Sequence, residues 1–428
     1  MSILRRVGAS AACALLATTQ VFAAPSTNKS PVLQAPVRPP STLRQTVQRV
    51  WEVSPRIHAA RARVRAATAR AEAAARPLYN PELGLQAENA DDRTRTASLG
   101  LTLDLSGKRD ARAARGAAGA RIHEIELQQL RRDIASRWLK AWSATVLARR
   151  QSELGRQRLN LMQDFDRLAA RRLKVGDISS PERDLAGLAL GEAQAQQAKL
   201  RSAEVMARAE LDGITGDTPL ALPPLPDSLP PQASLLKAAS VSALPELQLA
   251  RARQQRANAD IDVARRARIP DPTVSLSGGR IQRGSVSDRV IGVNLTIPLP
   301  VLNSGRAEVS AARAEADAAM ADVQAQQQLA SARLQESKSR YLALREAASA
   351  FRNSRASAWQ ERAQLLDRLW RAGEIGTSIY LIQLKQSLDT ALSGLELQNQ
   401  VWQAWFDYLS GAGRLVDWID GTEKDTQS

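Results

Sequence analysis

Alternation of apolar and polar residues along the chain predicts four β-strands. In the stretch ASLGLTLDL at 97–105, every odd position is apolar and every even position is Gly, Ser, Thr or Asp. A period of two places one face of a strand in an apolar medium and the other in water. The polar stretches Asp91–Arg95 and Arg283–Asp288 are predicted to be connecting loops. The predicted strands cover about 82–90, 96–105, 273–282 and 289–299.

This alternation is compatible with two interpretations, transmembrane strands or soluble β-hairpins packed on helices, because both alternate in the same way. A length of roughly nine or ten residues favours tilted transmembrane strands. Against that reading, Tyr79 is the only aromatic residue close to a strand, whereas bilayer interfaces usually carry aromatic girdles. Four strands cannot close a membrane barrel, since the smallest have about eight. Strands that cross a membrane would therefore have to be pooled from several chains, because open edges are not tolerated in lipid.

Spacings of three and four residues predict two very long amphipathic helices. The run Lys108–Lys174 contains no proline, and Arg306–Ala372 contains neither proline nor glycine. At 1.5 Å per residue either run could extend about 100 Å. Frequent arginines keep such helices out of lipid, and their apolar stripes predict packing against neighbouring helices. In the first run the stripe consists of Leu127, Leu130, Ile134, Trp138 and Ala141.

Matches between the two halves of the chain indicate two copies of one unit. Pro55, NPEL at 80–83, LTLDL at 101–105 and LKVGDI at 173–178 recur in order as Pro245, DPTV at 271–274, LTIPL at 295–299 and WRAGEI at 370–375. The offset between matching positions drifts only from 190 to 197 residues. Each copy is predicted to contain helix, strand, strand, long helix, turn and helix in that order. The first helical stretches, about Ser41–Ala75 and Ser234–Ala267, are interrupted at the two prolines.

Export and proline signals divide the chain into segments. Residues 1–23 resemble a bacterial signal peptide, with Arg5 and Arg6 before an apolar stretch and Val21-Phe22-Ala23 as the cleavage signal. Cys13 is read as a residue lost on cleavage, not as a lipid anchor, because Ser10 occupies the position where a lipoprotein signal needs a leucine-like residue. The other segments are a flexible N-terminal segment at 24–40, the first repeat at 41–215, a proline-rich connector at 216–233, the second repeat at 234–411 and a polar tail at 412–428.

Composition narrows the possible functions. The formal charge of +15 would suggest nucleic-acid binding, but the export signal and the lack of aromatics between the basic residues argue against it. Cys13 is the only cysteine, and His58 and His123 are the only histidines, so no metal site built from His and Cys is predicted. Catalytic groupings and phosphate-binding loops are also missing. We therefore predict neither an enzyme nor a cofactor.

Several motifs in order resemble the TolC-type outer-membrane efflux family, and in detail its heavy-metal-efflux (CzcC-like) branch. They are Asn80-Pro81-Glu82-Leu83 at the first strand, Gly107-Lys108-Arg109 before the first long helix, Pro270-Asp271-Pro272 before the third strand and Ile297-Pro298-Leu299-Pro300 after the fourth. The resemblance covers nearly the whole mature chain and is specific for the family more than for the substrate.

The resemblance implies a mainly α-helical protein with a membrane β-barrel portion. Three copies would pool their strands into a twelve-stranded outer-membrane barrel surrounded by lipid, continued by a long periplasmic α-helical barrel. Such a homotrimer would passively conduct substrates to the outside from a periplasmic adaptor (membrane fusion) protein and an inner-membrane RND pump. Divalent heavy-metal cations are the implied substrate, with drugs or other organic solutes as the alternative. A soluble periplasmic coiled-coil adaptor or scaffold is a rival class, although adaptors carry a single helical hairpin.

The resemblance also implies roles for particular residues. Gly107, Lys108 and Arg109 would form the corner between barrel and tunnel, and Asp104 would face the lumen from its strand. Family members often carry a gating aspartate where this chain has Ile379 and Ile382. The possible periplasmic aperture is therefore assigned to Glu182, Arg183 and Asp184. The tips that would contact the adaptor are Leu173, Lys174, Val175 and Gly176 in the first repeat and Trp370, Arg371, Ala372 and Gly373 in the second.

Overall fold

The computed structural model of the protein describes residues 41–216, 222–232, 241–354 and 359–420. The predicted signal peptide at 1–23 and the segment at 24–40 lie outside the described residues. The described part is mainly helical with a small sheet, as the sequence predicts. Its first half contains α1 (Ser41–Val53), α2 (Pro55–Ala74), β1 (Glu82–Asn89), β2 (Asp92–Thr102), α3 (Lys108–Lys174) and α4 (Ser180–Thr215). Its second half contains α5 (Pro245–Ala267), β3 (Thr273–Arg283), β4 (Val286–Thr296), α6 (Arg306–Asn353), α7 (Trp359–Arg371), α8 (Thr377–Gly411) and α9 (Leu415–Asp420).

The four strands form one antiparallel sheet in the order β1-β2-β3-β4. The hairpin connections are shorter than predicted, because β2 begins at Asp92 and β4 at Val286. Only residues 90–91 and 284–285 separate the paired strands, and Gly284 adopts a φ of 58° in the second turn. The predicted loops Asp91–Arg95 and Arg283–Asp288 are therefore mostly strand. Their arginines tolerate a strand conformation because they project from an open face.

One face of the sheet is both apolar and open. Leu85 is 78% exposed, Ile291 81% and Val293 75%. Among the described elements the strands pack chiefly on one another, and no strand has an extensive contact with a helix. Burial of these side chains would stabilise the sheet by about 25 cal/mol per Å², so a face left this open is typical of a surface that another apolar medium covers. Hairpins packed on helices, the soluble alternative for the strands, are wrong.

The first predicted long helix is confirmed in full, whereas the second is interrupted. Helix α3 runs without a break for 67 residues. Helix α6 ends at Asn353, and Ser354 is extended with φ −85° and ψ 163°. The hydroxyl of Ser354 donates to the carbonyl oxygen of Phe351 at 2.6 Å, a local bond that competes with helix continuation. None of the described helices combines the length and the apolar character that a membrane crossing needs.

Aromatic side chains organise the larger hydrophobic core, which gathers α1, α3, α6, α8 and α9. Trp138 and Trp142 of α3 stack with ring centroids 6.1 Å apart, and Tyr341 of α6 lies 5.0 Å from Trp405 of α8. All five predicted stripe positions belong to this core: Ile134, Trp138 and Ala141 are buried members, and Leu127 and Leu130 pack against them. A second core joins the C-terminal parts of α3 and α7 to the N-terminal parts of α4 and α8.

Side chains of two long helices hold the proline-rich connector in an extended conformation. The indole Nε1 of Trp142 donates to the carbonyl oxygen of Pro223 at 2.9 Å. Arg150 donates to Leu225 O at 3.2 Å, and Arg345 donates to Pro230 O at 3.0 Å. These bonds satisfy carbonyl groups that proline-rich chain cannot satisfy within itself. The described part of the connector, 222–232, is therefore a strap across α3 and α6.

The chain after Gly411 differs from the predicted polar tail. Residues Leu415–Asp420 form α9, and Leu415, Trp418 and Ile419 are at most 5% exposed. The carbonyl oxygen of Ile419 accepts a bond from Arg44 Nε at 2.9 Å. The tail prediction is wrong for this stretch because its apolar residues recur at helical spacing, and the rest of the tail, 421–428, lies outside the described residues.

Candidate functional site

The corner between sheet and helix contains the motif Gly107-Lys108-Arg109. Gly107 precedes α3 with a φ of 71° and a ψ of 34°, the left-handed region that glycine enters without strain. A Cβ at this position would lie 2.2 Å from Arg266 Nη1. That guanidinium group donates to the carbonyl oxygens of Ser106 at 2.9 Å and Gly107 at 3.0 Å. The glycine therefore permits both the turn and the close approach of the arginine.

Asp104 has a different place from the one predicted. Strand β2 ends at Thr102, so Asp104 lies beyond the strand to which the sequence analysis assigned it. Its carboxylate accepts bonds from the backbone N–H of Lys108 at 2.9 Å and of Arg109 at 2.7 Å. These are two of the donors left unpaired at the start of a helix. Asp104 therefore caps α3.

Capping sets the ionisation of Asp104. Partial burial acts to raise its pKa, but the backbone N–H groups of residues 106–109 outweigh burial and lower the pKa below the ordinary value. A carboxylate with a lowered folded pKa contributes stability that is present in full above the unfolded value. That stability is lost as the pH falls through the folded pKa.

We predict that Asp104→Ala lowers the free energy of unfolding by about 0.5–2 kcal/mol at neutral pH, because the cap is removed. Asp104→Asn retains one acceptor oxygen and should lose less. Both variants should lose stability less steeply than the parent as the pH falls below about 4. Denaturation in detergent at several pH values checks this, and an unchanged acid dependence in Asp104→Asn would contradict the assignment.

A buried ion pair joins the two halves of the chain at this corner. The ammonium group of Lys108 lies 2.8 Å from Asp271 Oδ2, and the side chains are 16% and 3% exposed. The hydroxyl of Tyr79 donates to the same oxygen at 2.9 Å. Burial and this bond raise the pKa of Tyr79. Sequence reasoning placed Asp271 in a motif but missed its contact with Lys108. Arg109 is 54% exposed, and among the described residues it pairs with Asp110 at 3.6 Å.

The two predicted tips have the same backbone geometry. Gly176 has a φ of 75° and Gly373 a φ of 78°. At the first tip Gly176 N donates to Leu173 O at 3.1 Å and Asp177 N to Arg172 O at 2.9 Å. At the second, the same two bonds join Gly373 N to Trp370 O and Glu374 N to Leu369 O, both at 3.0 Å. Each pair is a Schellman motif, which ends a helix with a glycine in the left-handed region.

The tips lie side by side but expose different residues. Arg172 Nη2 donates to Arg371 O at 3.3 Å, and its guanidinium lies 4.7 Å from the Trp370 ring centroid. Val175 is 79% exposed and Leu173 37%, whereas Trp370 is only 3% exposed. Lys174, Gly176, Arg371, Ala372 and Gly373 are also exposed. Trp370 differs from the other predicted contact residues, because a buried indole offers no surface to a partner.

Trp370 instead belongs to an aromatic cluster that joins the two tips. Its ring lies 4.5 Å from Phe165 of α3 and 5.3 Å from Tyr380 of α8, measured between centroids. Phe165 and Tyr380 are 5.2 Å apart. Burial strongly raises the pKa of the Tyr380 hydroxyl. The cluster therefore ties the hairpin α3/α4 to the hairpin α7/α8.

The three predicted aperture residues are not equivalent. Glu182 and Ser179 form a capping box at the start of α4, and bonds from the backbone and hydroxyl of Ser179 lower the pKa of Glu182. Arg183 binds Asp166 of α3, with Nη1 2.7 Å from Oδ1. Asp184 is exposed. Two of the residues therefore have local structural partners, and Asp184 is the one that faces solvent.

Further along the helices, a charged network that sequence reasoning missed connects α3, α4 and α8. Arg158 of α3 is 7% exposed and lies 3.7 Å from Glu192 and 3.6 Å from Asp389. Lys385 binds Glu192 and lowers the pKa of that carboxyl group. The residues are far apart in sequence, so only the packing of the helices identifies the network. Among the described residues no group of three or more His, Cys, Asp or Glu side chains could hold a metal ion.

Comparison with known families bears directly on these features. Residues 240–407, which include the third and fourth strands, α6, and the second tip, match the family described as outer membrane efflux protein. The second half of the chain is therefore similar in sequence to the outer membrane efflux protein family. The match agrees with the outer-membrane location that the sequence analysis predicts.

Comparison with individual proteins shows how far the similarity extends. The cobalt-zinc-cadmium resistance protein CzcC of Cupriavidus metallidurans is 26% identical over 245 residues, which cover 56% of this chain and 58% of CzcC. The outer-membrane channel OprN has a TM-score of 0.72 and 21% identity, over 88% of this chain and 91% of OprN. The CmeC outer membrane channel of Campylobacter jejuni has a TM-score of 0.70 and 14% identity, over 90% and 89%. At these identities the solved structures show a shared fold.

Proposed function

We propose that three copies of this chain form a channel-tunnel across the outer membrane, as the outer component of a tripartite efflux system. The open sheet carries this proposal. Its apolar face is uncovered, and within the described chain β1 and β4 each have one unpaired edge. Unpaired backbone groups cost several kcal/mol each in lipid. Pairing β1 of one copy with β4 of the next removes every edge and gives a barrel of twelve strands.

The helices would continue this barrel into the periplasm. Helix α3 has 67 residues and extends about 100 Å at 1.5 Å per residue. Two helix-strand-strand-helix-helix repeats in each of three copies would supply the wall of the tunnel. The buried clasp of Lys108 and Asp271 lies where strands and helices meet. In this proposal the clasp fixes the angle between barrel and tunnel.

We assign the contact with a periplasmic adaptor protein to the exposed residues of the two tips. Val175 and Leu173 provide apolar surface, and Lys174 and Arg371 provide positive charge. Trp370 is 3% exposed, so in this proposal it supports the exposed tip residues and leaves the contact to them. Through the adaptor, an inner-membrane RND pump would supply both substrate and energy, so conduction is passive and the chain needs no catalytic residue. Asp184 is the candidate for a charged ring at the periplasmic aperture.

Divalent heavy-metal cations are the proposed substrate, because the match to CzcC supports them. Drugs or other organic solutes are the alternative. Deleting the gene should lower tolerance to cobalt, zinc or cadmium salts and leave tolerance to organic drugs unchanged. If drug tolerance falls and metal tolerance does not, the substrate is organic and the metal assignment is wrong.

A matched pair of tip variants tests the channel and its partner together. We predict that Val175→Asp abolishes resistance to the metal salts, because it places a charge in the apolar part of the proposed adaptor contact. Val205→Asp on α4, where Val205 is 60% exposed, should leave resistance intact. Both proteins should be found in the outer-membrane fraction and have the mass of a trimer in detergent. A stable folded monomer would contradict the channel, whereas equal resistance in both variants would contradict only the tip assignment.

A further inference from the structure

The register of the sheet aligns side chains into rows across the strands. Paired residues project from the same face, so Leu83, Leu99, Leu276 and Val293 form one apolar row. Leu85, Ala97, Gly278 and Ile291 form the next, and Leu101, Val274 and Leu295 form the row on the helix side. These rows make up the exposed apolar face that the proposed barrel turns to lipid.

The next row towards the hairpin turns consists mainly of arginine. Arg95 pairs with Arg280, and Arg280 pairs with Arg289. All three belong to the same face as the leucine rows and are exposed. Ala87 of β1 completes the row. Three guanidinium groups therefore stand side by side on adjacent strands, about 4.8 Å apart at the backbone.

Nothing in the described chain neutralises this arginine row. Of the carboxylates at this end of the sheet, Asp92 pairs with Arg283 at 3.0 Å on the other face, Glu88 and Asp288 alternate to that same face, and Asp91 lies in the first turn. In the described chain Arg95, Arg280 and Arg289 each form no ion pair within 4.0 Å. Like charges directly opposite each other destabilise a sheet. Such a row therefore points to an anion supplied from outside the chain.

The height of the row identifies the region of the membrane that it meets. From Arg289 to Ile297, the apolar residue after β4, the chain spans about 27 Å at 3.4 Å per residue. At a tilt of about 40° this is roughly 20 Å along the membrane normal, close to the apolar band of about 25 Å in outer-membrane barrels. The arginine row thus lies at the outer boundary of the band. There an arginine costs little, because its head reaches the headgroup layer.

We propose that Arg95, Arg280 and Arg289 form a binding site for the phosphate groups of an anionic glycolipid in the outer leaflet. Guanidinium groups bind phosphate oxygens in pairs, and a row of three spans about 10 Å, which suits a headgroup that carries more than one phosphate. The row also occupies the level of the missing aromatic girdle. This site rests on the proposed barrel, which repeats it three times around the rim.

Lipid binding by the purified full-length protein tests the site, with bisphosphorylated lipid A as the probe. Native mass spectrometry in detergent should show lipid A bound to the parent protein. The variant R95Q/R280Q/R289Q should bind about a hundredfold more weakly, as expected for three arginines at a charged lipid surface. The control R56Q/R63Q/R70Q removes the same charge from exposed positions of α2 and should bind within about twofold of the parent.

Two further measurements distinguish binding of the lipid from binding of a free anion. Lipid A stripped of both phosphates should bind as weakly to the parent as intact lipid A binds to the triple variant, and inorganic phosphate should not compete at equal concentration. Equal binding by parent and triple variant, an equal loss in the control, or full competition by inorganic phosphate would each overturn the site. If the protein is a trimer in the outer membrane but does not bind lipid A, only the lipid site is wrong. If the protein is a monomer, or is absent from the outer-membrane fraction, the proposed channel itself is wrong.

Discussion

Replacing Asp271 by alanine is expected to lower the free energy of unfolding by about 3–5 kcal/mol, the usual cost of removing one partner of a buried ion pair. The Asp271 side chain is 3% exposed, and it contacts Lys108 Nζ at 2.8 Å and the Tyr79 hydroxyl at 2.9 Å. Without it, a buried ammonium group and a hydroxyl lose their acceptor. Thermal and chemical unfolding of the protein in detergent measure the effect.

Two further variants separate the buried pair from a general loss of charge. Asp262→Ala removes a carboxylate that is 61% exposed and pairs with Arg265 over one turn of α5, so it should cost less than about 1 kcal/mol. The double variant Lys108→Met with Asp271→Leu should recover most of the lost stability, because neither charge is then left unpaired. If Asp271→Ala costs no more than Asp262→Ala, the corner is not held by this contact.

Replacing Trp370 by alanine is expected to cost about 3–5 kcal/mol, as for other large aromatic side chains removed from a core. Phe165 and Tyr380 would each lose their contact with the indole ring, and Arg172 would lose the aromatic face that it covers. Because the cluster joins two hairpins, the loss should appear first as faster amide exchange at both tips. Hydrogen exchange followed by mass spectrometry provides the measurement.

The matched variants are Trp370→Phe and Val175→Ala. Phenylalanine keeps an aromatic ring in the cluster and should cost about half as much. Val175 is 79% exposed, so its truncation should change stability by less than about 0.5 kcal/mol while weakening the proposed adaptor contact. Unchanged tip exchange in Trp370→Ala would show that the cluster does not couple the hairpins.

The sequence predicts elements best where local signals mark their ends. Gly107 at one end and Gly176 at the other bound α3, and the prediction of 67 residues is confirmed. Helix α6 has no such marker. Its end at Asn353 depends on Ser354, whose hydroxyl binds the backbone, and serine carries that ability at many positions without ending a helix.

Candidate site residues were harder to predict, because their roles depend on contacts between distant segments. Asp104 continues the alternating pattern of its strand and so resembles a strand residue, yet its carboxylate caps the following helix. Trp370 occupies a tip motif but is buried by Phe165 and Tyr380, which come from other helices. The row of Arg95, Arg280 and Arg289 exists only once the register is known.

The two hairpin turns of the sheet contain only residues 90–91 and 284–285. In the proposed orientation these turns, with the strand ends between them and the arginine row, are the part of the described polypeptide that a cell would present to its surroundings. Antibodies and bacteriophages would find few epitopes or receptor sites on such a short rim. The protein would thus expose little polypeptide to the outside, although its lumen would remain open to the substrates that pass through it.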